Sequence, residues 1–145
     1  MEDNKALRMK DGQPVRYLVV DDSLFARKNL GRIVASFEGV VTGEAAHGLA
    51  AIEEYDRLQP DLVLMDVTMP EMEGIEAAGR IIAKHPGARI VMVSSVGDQD
   101  NISHALQKGV LHFVQKPVKP EQLHSVIKRV LDAKAPACLE GTAQS

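Results

Sequence analysis

Three segments of this chain are unbroken aliphatic runs that stop at polar or acidic residues: VRYLVVDDS (residues 15–23), DLVLMDVT (61–68) and ARIVMVSS (88–95). A fourth, VLHFVQKP (110–117), stops at lysine and proline. Apolar runs of four to eight residues between breakers fit strands buried on both faces. GVVTGEAA (39–46) alternates more and is expected as an edge strand. Helical periodicity fills the gaps between these runs. Ala26, Leu30, Ile33, Val34 and Phe37 share one helix face, as do Ile102, Ala105, Leu106 and Gly109. Leu123, Val126, Ile127, Val130 and Leu131 repeat the pattern behind Pro120, a residue suited to a helix start. Shorter helical patterns cover 49–58 and 75–82, with Pro60 and Pro86-Gly87 at their ends. Strand followed by helix, five times over, predicts an α/β fold with one parallel five-stranded sheet. Right-handed crossovers make it doubly wound, with five helices on its two faces. The expected organisation is a polar tail over 1–14, a folded unit over 15–133 and a small-residue-rich tail over 134–145.

Composition narrows the function classes. A chain of 145 residues fits one domain, and 45% apolar residues are enough for a real core. Aromatics are only 3% with no Trp, so that core must be Val, Ile, Leu, Met and Ala. The net charge is -3 and no basic run or patch occurs, which argues against direct nucleic-acid binding. No stretch approaches the roughly 20 apolar residues of a membrane helix. The N-terminus is charged from its second residue and lacks the apolar region of a signal peptide. One cysteine, Cys138, cannot form an internal disulfide, so a cytoplasmic, reducing location is the simplest expectation. The five histidines show no metal-ligand spacing and are expected on the surface.

In doubly wound sheets, ligands bind beyond the carboxyl ends of the strands. That rule gathers Asp21-Asp22-Ser23, Asp66 with Thr68 close behind, Ser94-Ser95 and Lys116-Pro117 onto one rim. It also answers why an acid ends the apolar run DLVLM, since the rim lies just past the buried segment. Taken singly, these residues have plainer readings. Asp21 or Asp22 can cap the first helix, Asp66 can form a turn, the serines suit a loop and a lone lysine suits a solvated surface. Together they offer three carboxylates, a hydroxyl and an amine. Carboxylates sharing a pocket repel one another unless a cation neutralises them, and hard oxygen ligands in that number suit Mg²⁺. A metal and a lysine can neutralise a transferring phosphoryl group, and a carboxylate can itself be the nucleophile that accepts it.

Asp21-Asp22, Asp66, Ser94 and Lys116-Pro117, in this order on a five-fold strand–helix alternation, resemble the receiver domain of two-component response regulators, in its CheY-like single-domain form. MDVTMPEMEG is the most specific piece and QKP the second. The resemblance runs from Val15 to Ala133. It implies a flavodoxin-like topology and a phosphoacceptor, Asp66, that attacks the phosphohistidine of a sensor kinase or phosphotransfer protein. Asp21, Asp22, Asp66 and the backbone carbonyl of Thr68 would hold Mg²⁺, for which Mn²⁺ could substitute. Lys116, aimed by a cis bond to Pro117, would pair with the phosphoryl oxygens, and Ser94 would hydrogen-bond them. Phe113 occupies the family's aromatic switch position, and Met69-Pro70 and Gly74 would shape the loop over the site. Thr68 and Val96, beside the site, are neither acidic nor amide-bearing, which implies slow to moderate self-dephosphorylation.

The responding surface would be the fourth helix, fifth strand and fifth helix, with His104, Gln107, Lys108, His112, Lys119 and Gln122 exposed for a downstream protein. Such a chain would be a monomer, or a dimer on phosphorylation. It would signal by binding and catalyse only its own phosphorylation and dephosphorylation. A receiver fragment of a longer regulator is one alternative. Another is an aspartate-nucleophile phosphatase of the haloacid dehalogenase type, which would need a second acid where Thr68 stands.

Overall fold

The computed structural model describes residues 6–67, 74–94, 103, 105–110 and 112–133. Its strands are β1 (Arg16–Val20), β2 (Val40–Ala45), β3 (Leu62–Asp66), β4 (Ile90–Ser94) and β5 (His112–Gln115). The helices are α1 (Leu24–Ser36), α2 (Gly48–Leu58), α3 (Gly74–Lys84) and α5 (Pro120–Asp132), with α4 described at residues 103 and 105–107. All strand pairings are parallel, in the order β2-β1-β3-β4-β5. The reversal of order beside β1 makes the sheet doubly wound.

Side chains alternate across the central strands, so each strand feeds two cores. Leu18, Val20, Val63, Met65, Ile90 and Met92 meet Ala51 and Tyr55 of α2, Ile75, Ala78 and Ile81 of α3, and Ala105 of α4. Tyr17, Val19, Leu62, Leu64 and Val91 meet Leu30 and Val34 of α1 and Leu123 and Ile127 of α5. Every residue of β3 and β4 is buried, as continuous apolar runs require. β2 lies at one edge, as its alternating pattern predicts.

The structure departs from the sequence expectations in several places. The run at 110–117 does not become a strand buried on both faces. β5 is the other edge, with His112 and Phe113 half-buried and Gln115 exposed, because no strand flanks it beyond. Neither Asp21 nor Asp22 caps α1. Ser23 does, its Oγ accepting from Ala26 N at 3.2 Å. Ser23→Ala is expected to lower the unfolding free energy by about 1 kcal/mol, read from the chemical denaturation midpoint.

The segment before β1 is exposed at residue 8 and at 10–13 but is anchored at Leu7. Leu7 is buried among Phe37, Val130 and their neighbours, its N–H donates to Phe37 O at 3.0 Å, and Arg8 bridges to Pro14. An aliphatic side chain at that position gains more from the apolar gap than from water. The four described histidines, His47, His85, His112 and His124, lie at the surface as expected, each partly covered by neighbours. His47 Nδ1 accepts from Ala50 N and caps α2, His85 Nε2 lies 2.8 Å from Asp56 Oδ1, and the His124 ring meets Phe37 edge-on. His104 lies outside the described residues.

Candidate functional site

Parallel strands all point their carboxyl ends at one rim, and the pairing register sets how far each end reaches. Asp21 follows β1 and continues its pairing, its N–H donating to Ala45 O at 3.1 Å. The Asp21 side chain is buried, with Oδ1 accepting from Ser23 N at 2.9 Å. Asp22 is exposed. Asp66 is the last residue of β3, in register with Val93, and is only 7% exposed. The acid is thus part of the buried strand and does not lie past it. Ser94 ends β4 and is buried. Its carbonyl accepts from Lys116 N at 2.7 Å, which fixes where the lysine leaves the sheet. The Lys116-Pro117 peptide bond is cis. Gly74 N donates to Val67 O at 2.9 Å and starts α3 directly over Asp66.

The rim thereby brings together residues far apart in sequence. Lys116 Nζ lies 3.3 Å from Asp21 Oδ2 and 3.4 Å from Asp66 Oδ1, bridging the two buried acids. Burial pushes the Asp66 carboxyl up to about 6, the Asp21 charge adds to the rise, and Lys116 opposes it. Burial pulls the Lys116 ammonium down, but Asp66 and Asp21 outweigh it and leave its pKa raised. One ammonium therefore serves two carboxylates in a site that a third acid borders.

Asp21, Asp22 and Asp66 can each offer an oxygen within 4.8 Å of the others. A hard divalent cation such as Mg²⁺, which takes few carboxylates and keeps several waters, fits this donor set. Phe113 is half-buried, pairs with Met92 and packs against the α2–α3 core. With Gln122 and Val126 it lines an open groove between β5 and α5. Gln107, Lys108, Lys119 and Gln122 are exposed and His112 is half-buried. Thr68, Met69, Pro70, Ser95 and Val96 lie outside the described residues. Residue types alone do not single out Arg27, whose Nη1 donates to Asp21 O at 2.6 Å. The available signal was a cation in the first turn of a helix, where the helix dipole disfavours it.

The family model for the response regulator receiver domain matches residues 17–128. Chemotaxis protein CheY of Listeria monocytogenes is 37% identical over 115 residues, 79% of this chain and 97% of that protein. Chemotaxis protein CheY of Thermotoga maritima is 39% identical over 115 residues, covering 79% and 96%. Among solved structures, a chain of the CheX-CheY-BeF3-Mg²⁺ complex from Borrelia burgdorferi has a TM-score of 0.83 at 29% identity, covering 91% of this chain and 100% of that one. No described helix is long and apolar enough to cross a membrane. The strand order, the acids and lysine at its carboxyl rim and the family match over most of the chain agree, and the chain belongs to the CheY-like response regulator receivers of two-component signalling.

Proposed function

We propose that Asp66 accepts a phosphoryl group from the phosphohistidine of a sensor kinase or phosphotransfer protein, and that the surface of α4, β5 and α5 then changes to control a downstream protein. The observation that carries this reading is a buried carboxylate at the end of the central strand, 3.4 Å from a lysine and bordered by two more acids. Asp21, Asp22 and Asp66, with the carbonyl of Thr68, would hold Mg²⁺ or Mn²⁺. Bound there, the cation supplies neutralising charge to the phosphoryl oxygens and to the acids themselves.

The remaining chemistry belongs to the chain. An Asp66 oxygen forms the new P–O bond as the P–N bond of the phosphohistidine breaks. The bonding pair leaves on the imidazole nitrogen, which takes up a proton. Lys116 already sits between Asp66 and Asp21, so a short movement brings its ammonium onto a phosphoryl oxygen. Ser94, buried at the end of β4, donates its hydroxyl to another. That movement would leave space beside Phe113, which is half-buried, for the ring to turn inward. A packed core has discrete arrangements, so a small shift at the rim reaches the β5 surface as a switch. The protein acts in the cytoplasm as a monomer, or as a dimer on phosphorylation, signals by contact and binds no nucleic acid directly.

Incubation with Mg²⁺ and acetyl phosphate, followed by intact mass measurement, tests the reading. Wild type gains one phosphoryl group; Asp66→Asn gains none, and neither does wild type in a chelator. Equal labelling of the Asn variant, or no labelling of wild type, overturns it.

A further inference from the structure

We infer that Arg27 is a positioning residue for the Asp21–Asp22 acid pair, and that Glu44 at the end of the edge strand holds Arg27 in place. The inference rests on the reading above, in which that pair holds Mg²⁺.

The geometry is a pair of contacts made by one guanidinium. Arg27 Nη1 donates to Asp21 O at 2.6 Å, and Arg27 Nε donates to Glu44 Oε1 at 2.8 Å. The Arg27 side chain is only 16% exposed while Glu44 is 40% exposed, so the guanidinium is held from the protein side and its ion pair remains open to solvent. Arg27 also sits in the first turn of α1, where the helix dipole repels a cation and an acid would be favoured. A residue placed against that field is held by its contacts, and here both contacts are on hand.

The carbonyl that Arg27 binds belongs to the peptide joining Asp21 to Asp22. The other polar atoms of Asp21 are already engaged: its N–H on Ala45 O, Oδ1 on Ser23 N and Oδ2 on Lys116. With the carbonyl held as well, the plane of the Asp21–Asp22 peptide cannot turn. Asp22 is exposed, and among the described residues no hydrogen bond holds its carboxylate. Its direction depends on that peptide plane. Arg27 thus sets Asp22 from behind, while the forked guanidinium ties the β1–α1 loop to the end of β2. A lysine, with one compact ammonium, cannot reproduce a fork with two fixed acceptors.

Charge and position predict opposite outcomes, which makes the inference testable. If Arg27 acted only through its charge, removing a cation near the acids would tighten Mg²⁺ binding. If it acts by position, removing it weakens binding. Mg²⁺ affinity is measured by calorimetric titration of the unphosphorylated wild type, Arg27→Met and Arg27→Lys.

We expect Arg27→Met to bind Mg²⁺ roughly tenfold more weakly, in the range typical for lost outer-shell partners. Arg27→Lys keeps the charge and loses several-fold. The thermal midpoint in chelator checks that each variant is folded. The phosphorylation rate lost at low Mg²⁺ should return when Mg²⁺ is saturating, which a merely structural defect would not allow. Unchanged or tighter binding by Arg27→Met overturns the inference. If that variant does not fold, Arg27→Lys carries the test, and an affinity equal to wild type overturns it. Wild type that binds no Mg²⁺ removes the underlying reading and this inference with it, an outcome distinct from wild type and variants binding alike.

Discussion

Asn in place of Asp66 raises the unfolding free energy of the metal-free protein by about 2–3 kcal/mol at pH 7–8, converting the upward pKa shift at 1.36 kcal/mol per unit. The cause is the buried acid itself. Its folded pKa stands at about 6 against an ordinary 3.8, raised first by burial and then by Asp21, with Lys116 offsetting only part of it. A group whose pKa is higher in the folded state lends its stabilisation fully below the unfolded value and loses it as pH rises through the folded one. Wild type without metal should therefore gain stability as pH falls from about 7 toward 4, while the Asn variant shows no such gain from this position. The two curves should converge near pH 4, and urea midpoints at several pH values measure this. Mg²⁺ should stabilise wild type at pH 7 far more than Asp66→Asn, because the cation supplies the charge that the fold withholds. A variant no more stable than wild type at pH 7 in chelator would show that Lys116 already neutralises the acid.

Gly74→Ala is expected to cost folding about 3 kcal/mol or more. A Cβ on Gly74 would overlap the carbonyl oxygen of Asp66 and lie 2.9 Å from its carbonyl carbon and 3.1 Å from Met65 Cγ. The obstacle is backbone at the end of the central strand, which cannot swing aside as a side chain can. Relief requires moving the start of α3 away from β3 or moving Asp66, so the variant should lose phosphorylation along with stability. Gly87→Ala is the control, since a Cβ there meets nothing within 4 Å. Denaturation midpoints of the two variants should differ by most of the Gly74 cost. Equal midpoints would mean that α3 shifts freely.

Much of this was legible because aliphatic runs and helical periodicity are local signals. β3 and β4 are read correctly because a strand covered on both faces must be apolar throughout, and each of their residues is buried. The run containing β5 looks the same in sequence yet lies at an edge, because strand order is a property of the crossovers and not of the strand. Residues 7–14 read as a tail for a similar reason. One leucine among charged residues carries no periodicity, and the apolar cluster it joins includes Phe37 and Val130, distant in sequence. The N-cap could not be assigned from DDS alone, because three consecutive residues can all cap. The engagement of Asp21 with Ala45, Lys116 and Arg27 leaves Ser23 to do it.

The sequence by itself determined the fold class, the rim on which chemistry-bearing residues gather and the identity of the acids, hydroxyl and lysine there. These follow from residue type and from the rule that parallel strands share one direction. Only the tertiary structure decided that Asp66 is buried within its strand, that one lysine bridges it to Asp21 and that Arg27 fastens the acid pair to the edge strand. Those are distances between residues far apart in the chain, set by pairing register and helix packing, and no local pattern encodes them.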